Sequence, residues 1–431
     1  MKLVRDIELP ASKSESNRAL MIAAYGGFAP DFQNLSDAND TAVLRHALEI
    51  AGNRYVQRSV HVIPSEERAS VSLDSNQPQH CIDIADCGTA ARFLTTFLAC
   101  HEGQWLLTGT ARMKQRPIKP LVDALLGLGA EIQYVEKEGF LPLRIIGKPL
   151  QGGKVQIDAS QSSQFASSLL LAAPMFPQGL ELEVLGDLNS LPYLDMTLSM
   201  MCHFSAQVER KGHCVVVLPK PYQPAGFAIA PDWSAASNWY EMSALSEDCE
   251  IKLRSLSLSK GRLLLQGDAV IAEWMKSLGV STFEEGDALV LRKTAFECKP
   301  LSFDFSNTPD LFPTMEATCA GLQLEARFTG IANLHLKESD RVEAMKTELA
   351  KMGVEMLYIS ENELVINPTS KLPHFEESNP LSFEAHGDHR VVMALAPLAL
   401  KVGNVVFDHP EVVEKSYISF WEDASFLRIC E

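Results

Sequence analysis

"LVDALLGLGAEIQYV", residues 121–135, reads as an amphipathic helix that runs into Gly129 and then into a β-prone run. Glycine just past the last helical turn is the favoured left-handed cap, so the phrase marks a helix that stops and hands over to a strand. The phrase recurs in "TAVLRHALEIAGNRYV" (41–56), "LDMTLSMMCHFSAQVER" (194–210), "DAVIAEWMKSLGVSTF" (268–283) and "RVEAMKTELAKMGVEML" (341–357). Its pivots, Gly52, Gly129, Ser205, Gly279 and Gly353, fall about 75 residues apart, a period that marks an internal repeat. "SYISFWEDASFLRI" (416–429) reads as a helix where a sixth unit falls. A unit of this length holds several strands and two helices, too much for a solenoid repeat and right for a compact α/β unit.

A second set of stretches interleaves with the first and is apolar nearly all round: "NRALMIAAYGG" (17–27), "GTAARFLTTFLAC" (88–100), "SSQFASSLLLAAPMF" (162–176), "SAASNWYEMSAL" (234–245), "LFPTMEATCAGL" (311–322) and "DHRVVMALAPLAL" (388–400). Helices of this kind are buried. The runs "KVQIDAS", "LRIIG", "HCVVVLP", "RLLLQG" and "ELVINP" read as strands between them. Six units suggest two domains of three, divided near residues 231–234.

The 431 residues, 46% hydrophobic and 22% charged, are an ordinary globular balance with chain enough for two or more domains. The start "MKLVRDIELP" lacks the apolar stretch of a secretory signal, and no apolar run approaches bilayer-spanning length, so a cytoplasmic protein without a membrane partner is expected. Nine cysteines with no C-x-x-C pair suit reduced thiols. A formal charge of −17 disfavours nucleic acid as a partner, so any anion site must concentrate its cations locally.

The buried helices supply a place for such a site. A helix N-terminus offers free N–H groups and about half a positive charge, which attract anions. Lys13, Arg18 and Arg390 stand near such ends, where a cation opposes the dipole and destabilises the helix unless an anion compensates it. The ordinary alternative makes Ser14, Ser162 and Ser234 plain N-caps and leaves the cations solvated. Further cations and hydroxyls cluster in "TARMKQRPIKP" (110–120), "QSSQF" (161–165), "NLHLKESDR" (333–341) and "GDHR" (387–390). Arginine's planar fork binds carboxylate and phosphate bidentately, and hydroxyls can ring a phosphate.

In order along nearly the whole chain, "LPASKSESNRAL", "CGTAARF", "RMKQRPI", "SSQF", "SLPYLD", "NTPD", "NLHLKESDR", "GDHR" and "EKSY" resemble the 5-enolpyruvylshikimate-3-phosphate (EPSP) synthase family. The resemblance implies an α/β fold: a two-domain inside-out α/β barrel of six βαβαββ repeats, three per domain. It places the domains at 12–232 and at 1–11 plus 233–431, with the active site in the cleft between them. It implies transfer of the enolpyruvyl group of phosphoenolpyruvate to the 5-hydroxyl of shikimate 3-phosphate by addition and elimination, releasing phosphate. Shikimate 3-phosphate would contact Lys13, Ser14, Arg18, Ser162, Ser163, Gln164, Ser190, Tyr193, Asp310, Asn333 and Lys337. Phosphoenolpyruvate would be held by Lys13, Gly88, Arg116, Gln164, Arg341, Arg390 and Lys415. Asp310 would serve the 5-hydroxyl and Glu338 the proton transfer at C3, with Lys13 and Lys415 assisting. No metal or organic cofactor is implied, and the expected state is a monomer.

Two departures stand out from the family pattern. Asp86 and Cys87 occupy positions that usually read Asn-Ala or Asn-Ser, and Phe93 stands where many members have Pro. A carboxylate at Asp86 repels a dianion unless Arg92 or Arg116 neutralises it. The sister transferase acting on UDP-N-acetylglucosamine is disfavoured, because "TARMKQRP" lacks that relative's loop cysteine. A binding protein without turnover finds support only in Asp86, and Lys13, Asp310, Glu338 and Lys415 oppose it. His386 and His389, spaced H-x-x-H, lack an evident third metal ligand.

Overall fold

In the computed structural model, which describes residues 2–52, 80–186, 190–258, 266–295, 300–367 and 371–430, all five pivots adopt left-handed backbone. φ is 81° at Gly52, 89° at Gly129, 71° at Ser205, 78° at Gly279 and 80° at Gly353. The recurring phrase is therefore a recurring helix stop, strained only at Ser205, where a Cβ is present.

Four of the sheets share one strand order. Gly153–Asp158 pairs in parallel with Leu180–Leu185, which pairs antiparallel with Cys214–Val217, and that strand forms a hairpin with Val208–Lys211. The same order relates His80–Asp83, Gly103–Thr108, Leu143–Gly147 and Glu131–Tyr134. It also relates Leu301–Asp304, Ala326–Thr329, Glu363–Asn367 and Glu355–Ser360. In the fourth sheet the first strand, Lys2–Ile7, comes from the N-terminus and pairs in parallel with Asp248–Arg254. Parallel neighbours need a crossover, and in the first three of these sheets a buried helix supplies it. Two shorter parallel pairs join Phe32–Gln33 to Phe227–Ala228 and Leu381–Phe383 to Val405–Phe407.

Two hydrophobic cores result. One runs from Ala11 to Ile229 around the helices Lys13–Gly26, Gly88–Cys100 and Ser163–Ala172. The other takes Ile7, Leu9 and residues from Trp233 to Leu427, around the helices Trp233–Leu245, Phe312–Leu322 and His389–Leu395. The chain crosses between the cores at two segments that pair with each other: Ala11 bridges Pro231, Ser12 N–H donates to Ala230 O at 2.8 Å, and Asp232 N–H donates to Pro10 O at 2.9 Å. Glu15, 2% exposed, fastens this junction by accepting from Ala230 N at 3.0 Å and Gln266 Nε2 at 2.8 Å.

Several local expectations are corrected. "DAVIAEWMKSLGV" is not one helix but a 3₁₀ turn (Gly267–Val270), a short α-helix (Ile271–Trp274) and a second 3₁₀ turn (Met275–Leu278). Its start is drawn onto a neighbouring helix by the hydrogen bond from Ser234 Oγ to Asp268. "SYISFWEDASFLRI" keeps only Phe420–Asp423 helical, because Tyr417 and Ser419 hydroxyls bind Asp423 and Trp421 Nε1 donates to Pro410 O, bonds that compete with regular structure. The N-caps are Ser12 and Asp232 rather than Ser14 and Ser234, while Ser162 caps as expected. Most of "RLLLQG" lies outside the described residues, and the other four runs form strands. Among the described residues no helix is long and apolar enough to cross a membrane, and Cys87, Cys100, Cys202, Cys214, Cys249, Cys319 and Cys430 are free thiols.

Candidate active site

The buried helices of both cores, Trp233–Leu245 excepted, bring their N-terminal ends to one cleft. Its walls carry Lys13, Ser14 and Arg18 from the first helix, Gly88 from the second, and Ser162, Ser163 and Gln164 from the third, with Arg116, Ser190 and Tyr193 alongside. The facing core adds Asp310, Asn333, Lys337, Glu338, Arg341 and Arg390. Every expected site residue except Lys415 lines this cleft, and Lys415 reaches its edge through Asp40.

The cations at the helix starts are compensated, but by carboxylates of the protein itself. Lys13 Nζ pairs with Asp40 Oδ2 at 3.0 Å, and Lys415 lies 3.6 Å from the other oxygen. Arg390 pairs with Asp310 Oδ2 at 2.6 Å, and Tyr193 OH donates to the same oxygen at 3.2 Å. Arg341, 1% exposed, spreads its fork over three carboxylates: Asp310 at 2.7 Å, Glu338 at 2.8 Å and Asp388 at 2.8 Å. Arg116 faces the other Glu338 oxygen at 3.8 Å and lies across Gly88, where an added Cβ would meet its guanidinium at 2.6 Å. Glycine is required there because the arginine occupies the space a side chain would fill.

Arg18 serves differently, bonding Thr197 Oγ1 at 2.7 Å and the carbonyls of Ser14 and Tyr193 at 3.0 and 3.2 Å. Gln164 donates to Thr89 at 3.1 Å, and Asn333 donates across the cleft to Ser160 O at 2.6 Å.

These contacts set the proton affinities. Burial alone would raise Asp310, but Arg390, Arg341 and Lys337 outweigh it and hold the carboxyl far below the ordinary range. Glu338 behaves alike: Arg341, Arg116 and Lys415 overcome burial and keep it ionised. Burial works against the Lys415 ammonium, yet Asp40, Glu338 and Asp86 push its pKa above the usual lysine value. Lys337 is lowered by burial.

The order of motifs and this geometry agree with what known proteins show. A family match, described as EPSP synthase (3-phosphoshikimate 1-carboxyvinyltransferase), covers residues 1–424. The 3-phosphoshikimate 1-carboxyvinyltransferase of Bacteroides fragilis is 38% identical across 97% of this chain and 93% of its own length. The chain belongs to the EPSP synthase family. The same-named protein of Syntrophobacter fumaroxidans is 34% identical over 96% of this chain and 95% of its own. An EPSP synthase structure from Acinetobacter baumannii superposes with a TM-score of 0.69, covering 99% of this chain and 96% of that one at 20% identity. The fold is thus that of the EPSP synthases.

In this family member Asp86 is not neutralised by Arg92 or Arg116. Arg92 is spent on the carbonyls of Gly88 and Pro117, and Lys415 takes Asp86 Oδ2 at 2.5 Å. The two histidines also part company. His386, in left-handed backbone ahead of the helix, bonds Glu348 at 2.9 Å, whereas His389 lines the cleft. Glu348, Glu384 and His386 lie close together, but Lys351 pairs with Glu348 at 2.7 Å and supplies the cation.

Sequence reasoning missed the counter-ions. Asp40 and Asp388 carry no local signature, since Asp40 is an ordinary acidic residue in the first turn of an amphipathic helix and Asp388 looks like a simple cap, which it also is. Their importance comes from partners far along the chain.

Proposed function

We infer that this chain transfers the enolpyruvyl group of phosphoenolpyruvate to the 5-hydroxyl of shikimate 3-phosphate and releases inorganic phosphate, a step of the shikimate pathway toward aromatic amino acids. The observation that carries the residue roles is the convergence of Lys13, Asp310, Glu338 and Arg341 in one buried, cation-rich cleft between the two cores. The reading takes those cores as two domains, 12–232 and 1–11 plus 233–431, each of three repeats in an inside-out barrel. It makes the protein a cytoplasmic monomer needing neither metal nor organic cofactor.

Ser162, Ser163 and Ser190 suit the 3-phosphate with Lys13 and Arg18 nearby, while Tyr193, Asn333, Gln164 and Lys337 border the ring. Arg116, Arg341, Arg390 and Lys415 match the carboxylate and phosphate of phosphoenolpyruvate, with Gly88 giving backbone access. Asp310 and Glu338 are held too acidic by their arginines to trade protons as they stand. Substrate anions change this by drawing Arg341, Arg390 and Arg116 to themselves, so both carboxyls regain proton affinity when the reaction needs it. Asp310 then takes the 5-hydroxyl proton as the hydroxyl oxygen bonds to C2, and protonated Glu338 gives its proton to C3. In the elimination the C2–O bond to phosphate breaks as Glu338 takes a proton back from C3, which restores the enol double bond. Lys13 and Lys415 stabilise the phosphate that leaves.

The test mixes purified protein with both substrates and follows phosphate release. Release that needs both substrates is expected, and Asp310→Ala should reduce kcat by about 10²–10⁴-fold, the scale of a lost acid–base group. Release from phosphoenolpyruvate alone, or full activity in Asp310→Ala, would refute these roles.

A further inference from the structure

Five carboxylates already occupy the cations where phosphoenolpyruvate is proposed to bind. Asp40 takes Lys13 and Lys415, Glu338 takes Arg341 and faces Arg116, Asp310 takes Arg341 and Arg390, Asp388 takes Arg341, and Asp86 takes Lys415 at 2.5 Å. An arriving anion must displace at least one of them. Their freedom to leave differs: the side chain of Asp388 is 0% exposed, that of Asp40 5%, Glu338 12% and Asp310 19%, whereas that of Asp86 is 43% exposed. A buried carboxylate stripped of its partner must regain a proton or be strongly destabilised, as Asp310 and Glu338 do in the proposed reaction, whereas Asp86 is the one that can turn its charge into water.

Its place in the molecule fits that role. Asp86 borders a second pocket of about 550 Å³ that shares Arg116 and Glu338 with the cleft. Its backbone carbonyl also accepts from Lys415 Nζ, at 3.2 Å. The ammonium therefore stays anchored at residue 86 when the carboxylate turns away.

We propose that Asp86 is a displaceable counter-anion for Lys415. It neutralises the ammonium, swings toward the adjoining pocket when a phosphate-bearing anion arrives, and retakes Lys415 as inorganic phosphate departs. Asp86 is a positioning residue: it weakens the grip of Lys415 on phosphate, at the expense of substrate affinity and to the benefit of product release. This rests on the reading of the cleft as a phosphoenolpyruvate site.

The experiment compares Asp86→Asn and Asp86→Ser with the unaltered protein, first by calorimetric titration with inorganic phosphate in the presence of shikimate 3-phosphate, then by steady-state kinetics. Removing one competing charge beside the site should tighten phosphate binding and lower the KM for phosphoenolpyruvate by about ten-fold, leaving the KM for shikimate 3-phosphate unmoved. Phosphate binding that is unchanged or weaker in both variants overturns the proposal and makes the pair a strut between the cores. The titration needs no turnover, so absent phosphate release from the unaltered protein would sink the activity while the titration still decides the part played by Asp86.

Discussion

Arg341 shows how much of the site hangs on one side chain. It is almost wholly buried, and its guanidinium holds Asp310, Glu338 and Asp388 in register, with Asp388 also accepting from Ser339 Oγ at 3.1 Å. Replacing it by methionine leaves three carboxylates facing one another, and removing one partner of a buried pair destabilises by about 3–5 kcal/mol. Urea unfolding of Arg341→Met should show a loss of that order, together with abolished phosphate release. Arg341→Lys keeps the charge but not the fork, so it should retain more stability than activity.

At the scale of elements, the helices and their stops were legible because their signals are local. Left-handed pivots at Gly129 and Gly353, apolar helices such as Ser163–Ala172, and the cap at Ser162 can each be read from a dozen neighbouring residues. Ser162→Ala should cost about 1 kcal/mol through the lost cap bond to Gln164 N, visible as a lower urea midpoint, and should raise the KM for shikimate 3-phosphate. What stayed hidden was set at a distance: Asp40 gains its meaning from Lys415, and the helix expected at 268–278 is broken by Ser234 acting on Asp268. The ordered motifs named the cleft's cations, but no pattern nearby announced that the protein supplies its own anions for them. Glu15 carries no local signature either, since its partners Ala230 and Gln266 lie far along the chain. Burial raises its pKa from 4.5 to about 7 despite its bonds to Ala230 and Gln266. The folded protein therefore holds this proton more tightly than the unfolded chain, so its contribution to stability falls as pH rises from 4.5 to about 7. Glu15→Gln should flatten that part of a plot of urea midpoint against pH.

For the whole molecule, the cleft is lined from both cores, so its opening and closing depend on what ties them together. Repulsion among the cations does not hold the cores open, because each core lends the other a partner: Arg112 donates to the carbonyls of Glu338 and Lys337, both at 2.9 Å, Lys415 reaches Asp86, and Tyr193 reaches Asp310. Arg112→Ala should raise the radius of gyration seen by small-angle scattering without ligand, and saturating shikimate 3-phosphate should restore it. An unchanged radius would mean that Arg112 does not help hold the cleft shut. The pairing of Lys2–Ile7 with Asp248–Arg254 reaches beyond the finished structure. On the ribosome the first strand emerges roughly 240 residues before its neighbour, a wait on the order of 10–50 s at 5–20 residues per second. The core built on Ala11 to Ile229 can condense meanwhile, while the other must leave its earliest strand unclaimed until the middle of the chain has been made. Birth order thus makes that orphaned strand edge the nascent chain's point of greatest exposure to chaperones and to misassembly.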